Sequence, residues 1–214
     1  MKLTLREPMN GFTHFLGIIF SVAVLLLLPL RNNGENSTVY QVSYIIFGTA
    51  MLLLFTASTL YHWLPSEGKR LELLRKIDHI MIFIFIAASY TPVCLISLKG
   101  AWGYSILTVV WVAAAGGFFM KIFWLNAPRK LYTGIYLLMG WVVIAGIYPL
   151  INAFSSEGMM WLIAEGILYT TGAVIYAFKK PDPYPGVLGF HEIFHLFILG
   201  GAICQFIVVY KFVG

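Results

Sequence analysis

The sequence predicts an all-α integral membrane protein: a seven-transmembrane-helix bundle with its amino terminus in the cytoplasm and its carboxyl terminus extracytoplasmic. Three observations carry this prediction. Of 214 residues, 60% are hydrophobic and 11% are charged, whereas a water-soluble domain carries roughly a quarter charged residues. Apolar stretches near the ~20 residues needed to cross a bilayer recur along the whole chain. The breaks between them alternate between rich and poor in Lys and Arg.

The first span covers about 13–30. Its polar start (Asn10, Thr13, His14) and its lack of a small-residue cleavage site predict a retained helix rather than a cleaved signal. The second covers about 41–64 and carries Ser58 and His62 near its end. The third, about 78–98, opens on Asp78-His79, and Pro92 is expected to kink or end it by removing a backbone hydrogen bond. The fourth (about 102–122), fifth (about 130–150) and sixth (about 157–178) contain Gly116-Gly117, Gly134, Gly140, Gly146, Gly166 and Gly172. The seventh, about 187–210, contains Gly200-Gly201. Small residues of this kind let helices approach closely in lipid. The break Lys179-Lys180-Pro181-Asp182-Pro183-Tyr184-Pro185-Gly186 reads as a rigid turn. No break is long enough for a soluble domain, so residues 1–214 read as a single domain.

Charge sets the orientation. Lys2 and Arg6 precede the first span; Lys69, Arg70, Arg75 and Lys76 fill the second break; Lys121, Arg129 and Lys130 the fourth; Lys179 and Lys180 the sixth. Of the 14 basic residues only Arg31, Lys99 and Lys211 fall on the other side. Lys/Arg-rich loops are cytoplasmic, and a missed or extra helix would scramble the alternation. The isoelectric point near 9.2 then reflects short loops facing anionic headgroups, and no nucleic-acid partner is expected. Cys94 and Cys204 sit alone in spans three and seven, as small buried apolar residues do.

Ionisable residues inside spans are costly and mark functional sites by default. Here they are His14, His62, Asp78, His79, Glu165, His191, Glu192 and His195. All but Glu165 fall near the cytoplasmic ends of their helices. His191 and His195, four apart, share one helix face, a spacing that offers two nitrogen ligands to one metal. Ser58 and His62 repeat it. A catalytic zinc site takes three protein ligands and one water, and geometry leaves His14, His62 or His79 as the third. The competing view is that these histidines bridge helices or sit in the headgroup layer. The run His191-Glu192-Ile193-Phe194-His195 also fits the zinc metalloprotease signature. No His, Asp or Glu follows His195 to complete such a site, so an ordinary protease of that class is excluded. Glu192 is expected to face the headgroups rather than the metal. Asp78 is the stronger candidate for general base, with Ser58 placed to hydrogen-bond it or a substrate carbonyl. The competing role for Asp78 is a cap at a helix start. His79, about 100° round the helix from Asp78, reads as a polar residue at a helix start. Glu165, in the outer third of span six, either faces an internal cavity or snorkels outward.

Glu7, Asn10, Thr13 and His14, then Ser58-Thr59-Leu60-Tyr61-His62, Asp78-His79, Ser89-Tyr90-Thr91-Pro92 and Gly189-Phe190-His191-Glu192-Ile193-Phe194-His195 give the chain a resemblance along nearly its whole length. It resembles the hemolysin III family, the bacterial branch of the progestin and adiponectin receptor group, which shares a superfamily with alkaline ceramidases. The order Ser-x-x-x-His, Asp, His-x-x-x-His is that superfamily's signature. The resemblance implies a Zn2+ ion held by His62, His191 and His195, with Asp78 and Ser58 beside an activated water. It implies a bacterial inner-membrane protein whose partners are membrane lipids, with a lipid amide or ester as substrate. Access to such a site would be from the bilayer or the cytoplasmic face. Two other functions compete: a non-catalytic membrane-homeostasis or sensor protein with structural zinc, and a haemolysin-like pore. An open fourth metal position beside a lipid-sized cavity would favour the enzyme.

Overall fold

The computed structural model describes residues 5–31 and 38–214; Lys2, used in the charge pattern, lies outside them. Among the described residues seven helices are long and apolar enough to cross a membrane. They are α1 (Pro8–Leu30), α2 (Thr38–Trp63), α3 (Gly68–Leu98), α4 (Gly100–Phe123), α5 (Arg129–Ala153), α6 (Ser156–Phe178) and α7 (Phe190–Phe212). Each lies on a predicted span, and the protein is a multi-pass membrane protein.

The largest boundary difference is at α3, which starts at Gly68 rather than near 78. The segment Lys69–Lys76 is too polar for the bilayer, yet Lys, Arg, Leu and Glu are good helix formers. Hydropathy marks the membrane slab, whereas propensity carries the helix beyond it. Asp78 and His79 are therefore well inside α3, and neither caps it.

Neighbouring helices pack in sequence, and α7 returns to α1 to close the bundle. The α2 and α3 spans are 61% and 67% buried against 17% for α5, so α2 and α3 form the centre. Their core joins Phe47, Met51, Leu54 and Phe55 of α2 to Met81, Phe85 and Ala88 of α3. At one end of the bundle, Arg31 Nη1 donates to the carbonyls of Val209 (3.0 Å) and Val213 (2.9 Å) and caps α7. At the other, Glu7 N donates to His62 O at 2.9 Å, and Trp63 Nε1 donates to Pro8 O at 3.0 Å.

Two helices are broken where polar side chains replace backbone bonds. After Pro92, α3 widens into a π-helix over Val93–Leu98, the consequence of a missing proline donor. In α5 the turn Val142–Gly146 tightens to a 3-10 helix. The Tyr90 hydroxyl donates to Gly140 O (2.6 Å) and accepts from Val143 N (3.2 Å), serving groups that the break frees.

The glycines divide into two sets. Gly117, Gly146, Gly172 and Gly201 meet Phe83, Ile106, Phe197 and Tyr169 closely. Gly116, Gly134, Gly140 and Gly166 have open space where a Cβ would stand, so they do not serve the packing expected of them. Gly17, in the first span, belongs with the first set: a Cβ there would overlap the ring of Phe55, which itself packs edge-on against His14. Gly17→Val is expected to destabilise the detergent-solubilised protein by about 1–3 kcal/mol, as overpacking does. A thermal melt beside a Gly116→Val control, which should stay near wild type, checks this.

Candidate metal centre

His62 ends α2, and His191 and His195 share one face of the first turns of α7. Each offers a ring nitrogen, and the three nitrogens lie within 4.8 Å of one another. The ring centroids are 5.0 Å apart for His62–His191, 5.0 Å for His62–His195 and 4.6 Å for His191–His195. Of the three histidines that geometry left open as third ligand, the structure brings His62 into the group.

The chain holds two of these rings from behind. His62 Nδ1 meets Glu7 Oε2 at 2.5 Å, and His62 Nε2 is buried without a hydrogen-bond partner. His195 Nδ1 lies 3.2 Å from the carbonyl of Asn10 and 3.1 Å from Thr13 Oγ1. A carbonyl can only accept, so Nδ1 carries the proton and Nε2 is left with its lone pair. A carboxylate or carbonyl on the far nitrogen is how proteins orient metal-binding imidazoles. Three imidazoles, one with an orphaned buried nitrogen, fit a divalent ion such as zinc.

Glu7 is anchored in turn. Its carboxylate accepts from Asn10 Nδ2 at 3.2 Å and lies 3.5 Å from Arg6 Nε. The His62 hydrogen bond foremost, aided by charge on His62 and Arg6, holds the Glu7 carboxyl below its usual range. Depressed in the folded chain, it favours folding above the ordinary carboxylate range, and that contribution is lost as pH falls through the lowered value. Glu7→Gln is expected to weaken metal binding by about 10–100-fold while all three histidines remain. Competition with chelators of graded strength measures it, and an unchanged affinity would remove Glu7 from the site.

Asp78 (8% exposed) and Ser58 (1% exposed) are buried, and the Ser58 hydroxyl is within reach of the Asp78 carboxylate. Asp78 is not among the three clustered ligands. With His191 and His195 it lines a cavity of about 470 Å³ bounded by α1, α2, α3, α5, α6 and α7. Most of the wall is apolar, and Arg75 and Arg129 stand at the histidine end. Between α5 and α6 the wall includes Trp141, Ile144, Ile163 and Ile167, each 45–58% exposed.

The remaining candidates separate. His14 stacks on His195 with ring centroids 3.6 Å apart, and neither of its nitrogens has a partner. His79 turns to Tyr132, 5.3 Å between rings. Glu192 does not face headgroups: it is buried, and its Oε2 accepts from Gly189 N at 2.9 Å, the glutamate half of a capping box at the start of α7. Asp182 Oδ1 adds a bond from Phe190 N at 3.0 Å. The Pro-rich turn thus fixes the helix end that carries His191. Glu165 lines the cavity. The supports that residue-by-residue chemistry missed are Glu7, Asn10 and Thr13. Their signal was a polar run at three-residue spacing just ahead of an apolar helix.

Residues 3–206 match the family described as Haemolysin-III related. The Hemolysin-3 homolog of Bacillus subtilis (strain 168) is 38% identical over 207 residues, covering 96% of this chain and 94% of that protein. Hemolysin-3 of Bacillus cereus is 36% identical over 208 residues, covering 97% and 92%. The human Monocyte to macrophage differentiation factor is 27% identical over 210 residues, covering 95% and 82%. The match over nearly the whole chain places this protein in the haemolysin III family.

Proposed function

We propose that this chain is a zinc-dependent hydrolase of lipid amide or ester bonds, acting from the cytoplasmic leaflet of the bacterial inner membrane. The observation that carries the proposal is the clustering of His62, His191 and His195, two of which, His191 and His195, stand on the wall of an apolar cavity that also presents Asp78. No fourth His, Cys, Asp or Glu joins the group among the described residues. Three ligands beside a large cavity are the catalytic pattern, and four would be the structural one.

Bound zinc would supply Lewis acidity and a water that ionises near neutral pH. The chain does the rest. Asp78 accepts the proton of the attacking water on its carboxylate. As the carbonyl carbon gains the water oxygen and loses its amine or alcohol, Asp78 passes that proton to the departing nitrogen or oxygen. Ser58 holds the carboxylate toward the histidines. Glu7 and Asn10 keep two rings in the tautomer that leaves Nε2 free. The apolar wall takes the acyl chain and excludes bulk water, and the wall between α5 and α6 offers an approach from lipid.

Purified protein in liposomes should release free fatty acid from a long-chain N-acyl amide. Release should fall by at least about a hundredfold after metal removal, the scale of a lost catalytic group, and return with added zinc. Turnover that persists after metal is stripped to trace levels would sink the proposal.

A further inference from the structure

The cavity has a second polar pole, far from the histidines. Glu165, in the middle of α6, lines it, and its Oε2 is buried with no hydrogen-bond partner. No ion pair reaches this carboxyl among the described residues. Tyr169, one turn further along the same helix, also lines the cavity, and its hydroxyl is buried without a partner. The Tyr169 ring is seated on Gly201 of α7, where a Cβ would collide with it.

Among the described residues no neighbouring donor reaches this pair. Gln205 Nε2 donates to Ser89 O at 2.7 Å. The Tyr90 hydroxyl is spent on the broken turn of α5. In hydrocarbon an unsatisfied polar group is costly and an intramembrane carboxyl more so. A cavity wall that keeps one must receive its partner from whatever fills the cavity.

Length defines that occupant. The contacts of Gly172 with Phe197, Tyr169 with Gly201 and Gly158 with Phe212 run α6 and α7 antiparallel, which sets Glu165 about level with Cys204, nine residues beyond His195 on α7 and about 14 Å along a helix. An extended acyl chain advances about 1.3 Å per carbon, given a carbon–carbon bond of about 1.5 Å, so roughly ten to twelve carbons separate the poles. We propose that Glu165 and Tyr169 form a second ligand subsite for a hydrogen-bond-donating group, a hydroxyl or an ammonium, carried that far along an acyl chain. The placement of the carbonyl at the histidines rests on the proposed function, whereas the donor subsite does not.

The test measures binding of N-methyldodecanamide and its 12-hydroxy and 12-amino derivatives to the full chain in detergent, by displacement of a fluorescent fatty acid. Wild type should prefer at least one derivative over the parent amide by about tenfold more than Glu165→Leu does, the worth of a hydrogen bond to a charged or acidic group. Glu165→Gln should keep a preference for the hydroxyl and lose any preference for the ammonium. Thermal melts establish that both variants are folded. The same derivative-to-parent ratios in wild type and Glu165→Leu overturn the subsite. His191→Ala separates the two readings. Weaker binding of all three amides, with the derivative preference intact, supports both. Unchanged binding with the preference intact removes the carbonyl from the histidine pole and leaves the subsite standing.

Discussion

Purified in mild detergent without chelators, the chain is expected to carry about one zinc ion per molecule, and His62→Ala, His191→Ala and His195→Ala should each lose nearly all of it. The effect is large because each ligand is a third of the protein's donor set. Losing a partner behind a ligand costs about 10–100-fold in affinity, and losing the ligand itself must exceed that. The controls are what make the result specific. His14 touches His195 face to face but lies outside the ligand triangle, and His79 points into another sector, toward Tyr132. His14→Ala and His79→Ala should therefore retain metal. Mass spectrometry of metal content reads all five variants, and thermal melts report the linkage, since metal bound only by the folded state raises its apparent stability. Wild type without metal would leave a helix bundle whose histidines serve packing. Metal kept in His62→Ala but lost in His14→Ala would mean that the α1 histidine replaces the α2 one.

The seven helices were legible because membrane insertion is a one-dimensional property: each span must be apolar by itself, whatever it packs against. What hydropathy could not reveal lies where helix and membrane part company. The extension of α3 ahead of its apolar span is helical but polar, so Asp78 and His79 looked like a helix start and are not. The His191/His195 pair was legible from a local spacing, whereas the third ligand was not. Adjacency of His62 to α7 is a fact of lateral packing, and only the resemblance singled it out. Glu192 carried a local signal that the metalloprotease pattern obscured: a glutamate at the third position of a helix can reach back to the amide that precedes it, here that of Gly189. Glu165 had no local signature, because whether a mid-span carboxyl meets lipid, protein or a cavity is decided by the other helices.

Asp78→Asn is expected to lower lipid-amide hydrolysis by about 10²–10⁴-fold, the range for a general acid–base group, while zinc content and melting temperature stay near wild type. The substitution is nearly isosteric, and an amide can still accept the Ser58 hydrogen bond, so the pocket should survive. What it cannot do is take the water's proton and return it to the leaving group. Burial sharpens the contrast: Asp78 is 8% exposed, so bulk water is poorly placed to substitute for it. Ser58→Ala should be milder, about tenfold, because it removes the bond that aims the carboxylate and not the carboxylate itself. The two variants together distinguish a base from a structural carboxyl. If Asp78 served only to satisfy Ser58, the two losses would be equal and would appear in the melts. If Asp78 moves the proton, its loss is the larger and appears in turnover alone. Full activity in Asp78→Asn with zinc bound would transfer the proton to another group, and the imidazole that touches the ligand set from outside it is His14, stacked on His195 with both nitrogens unpartnered.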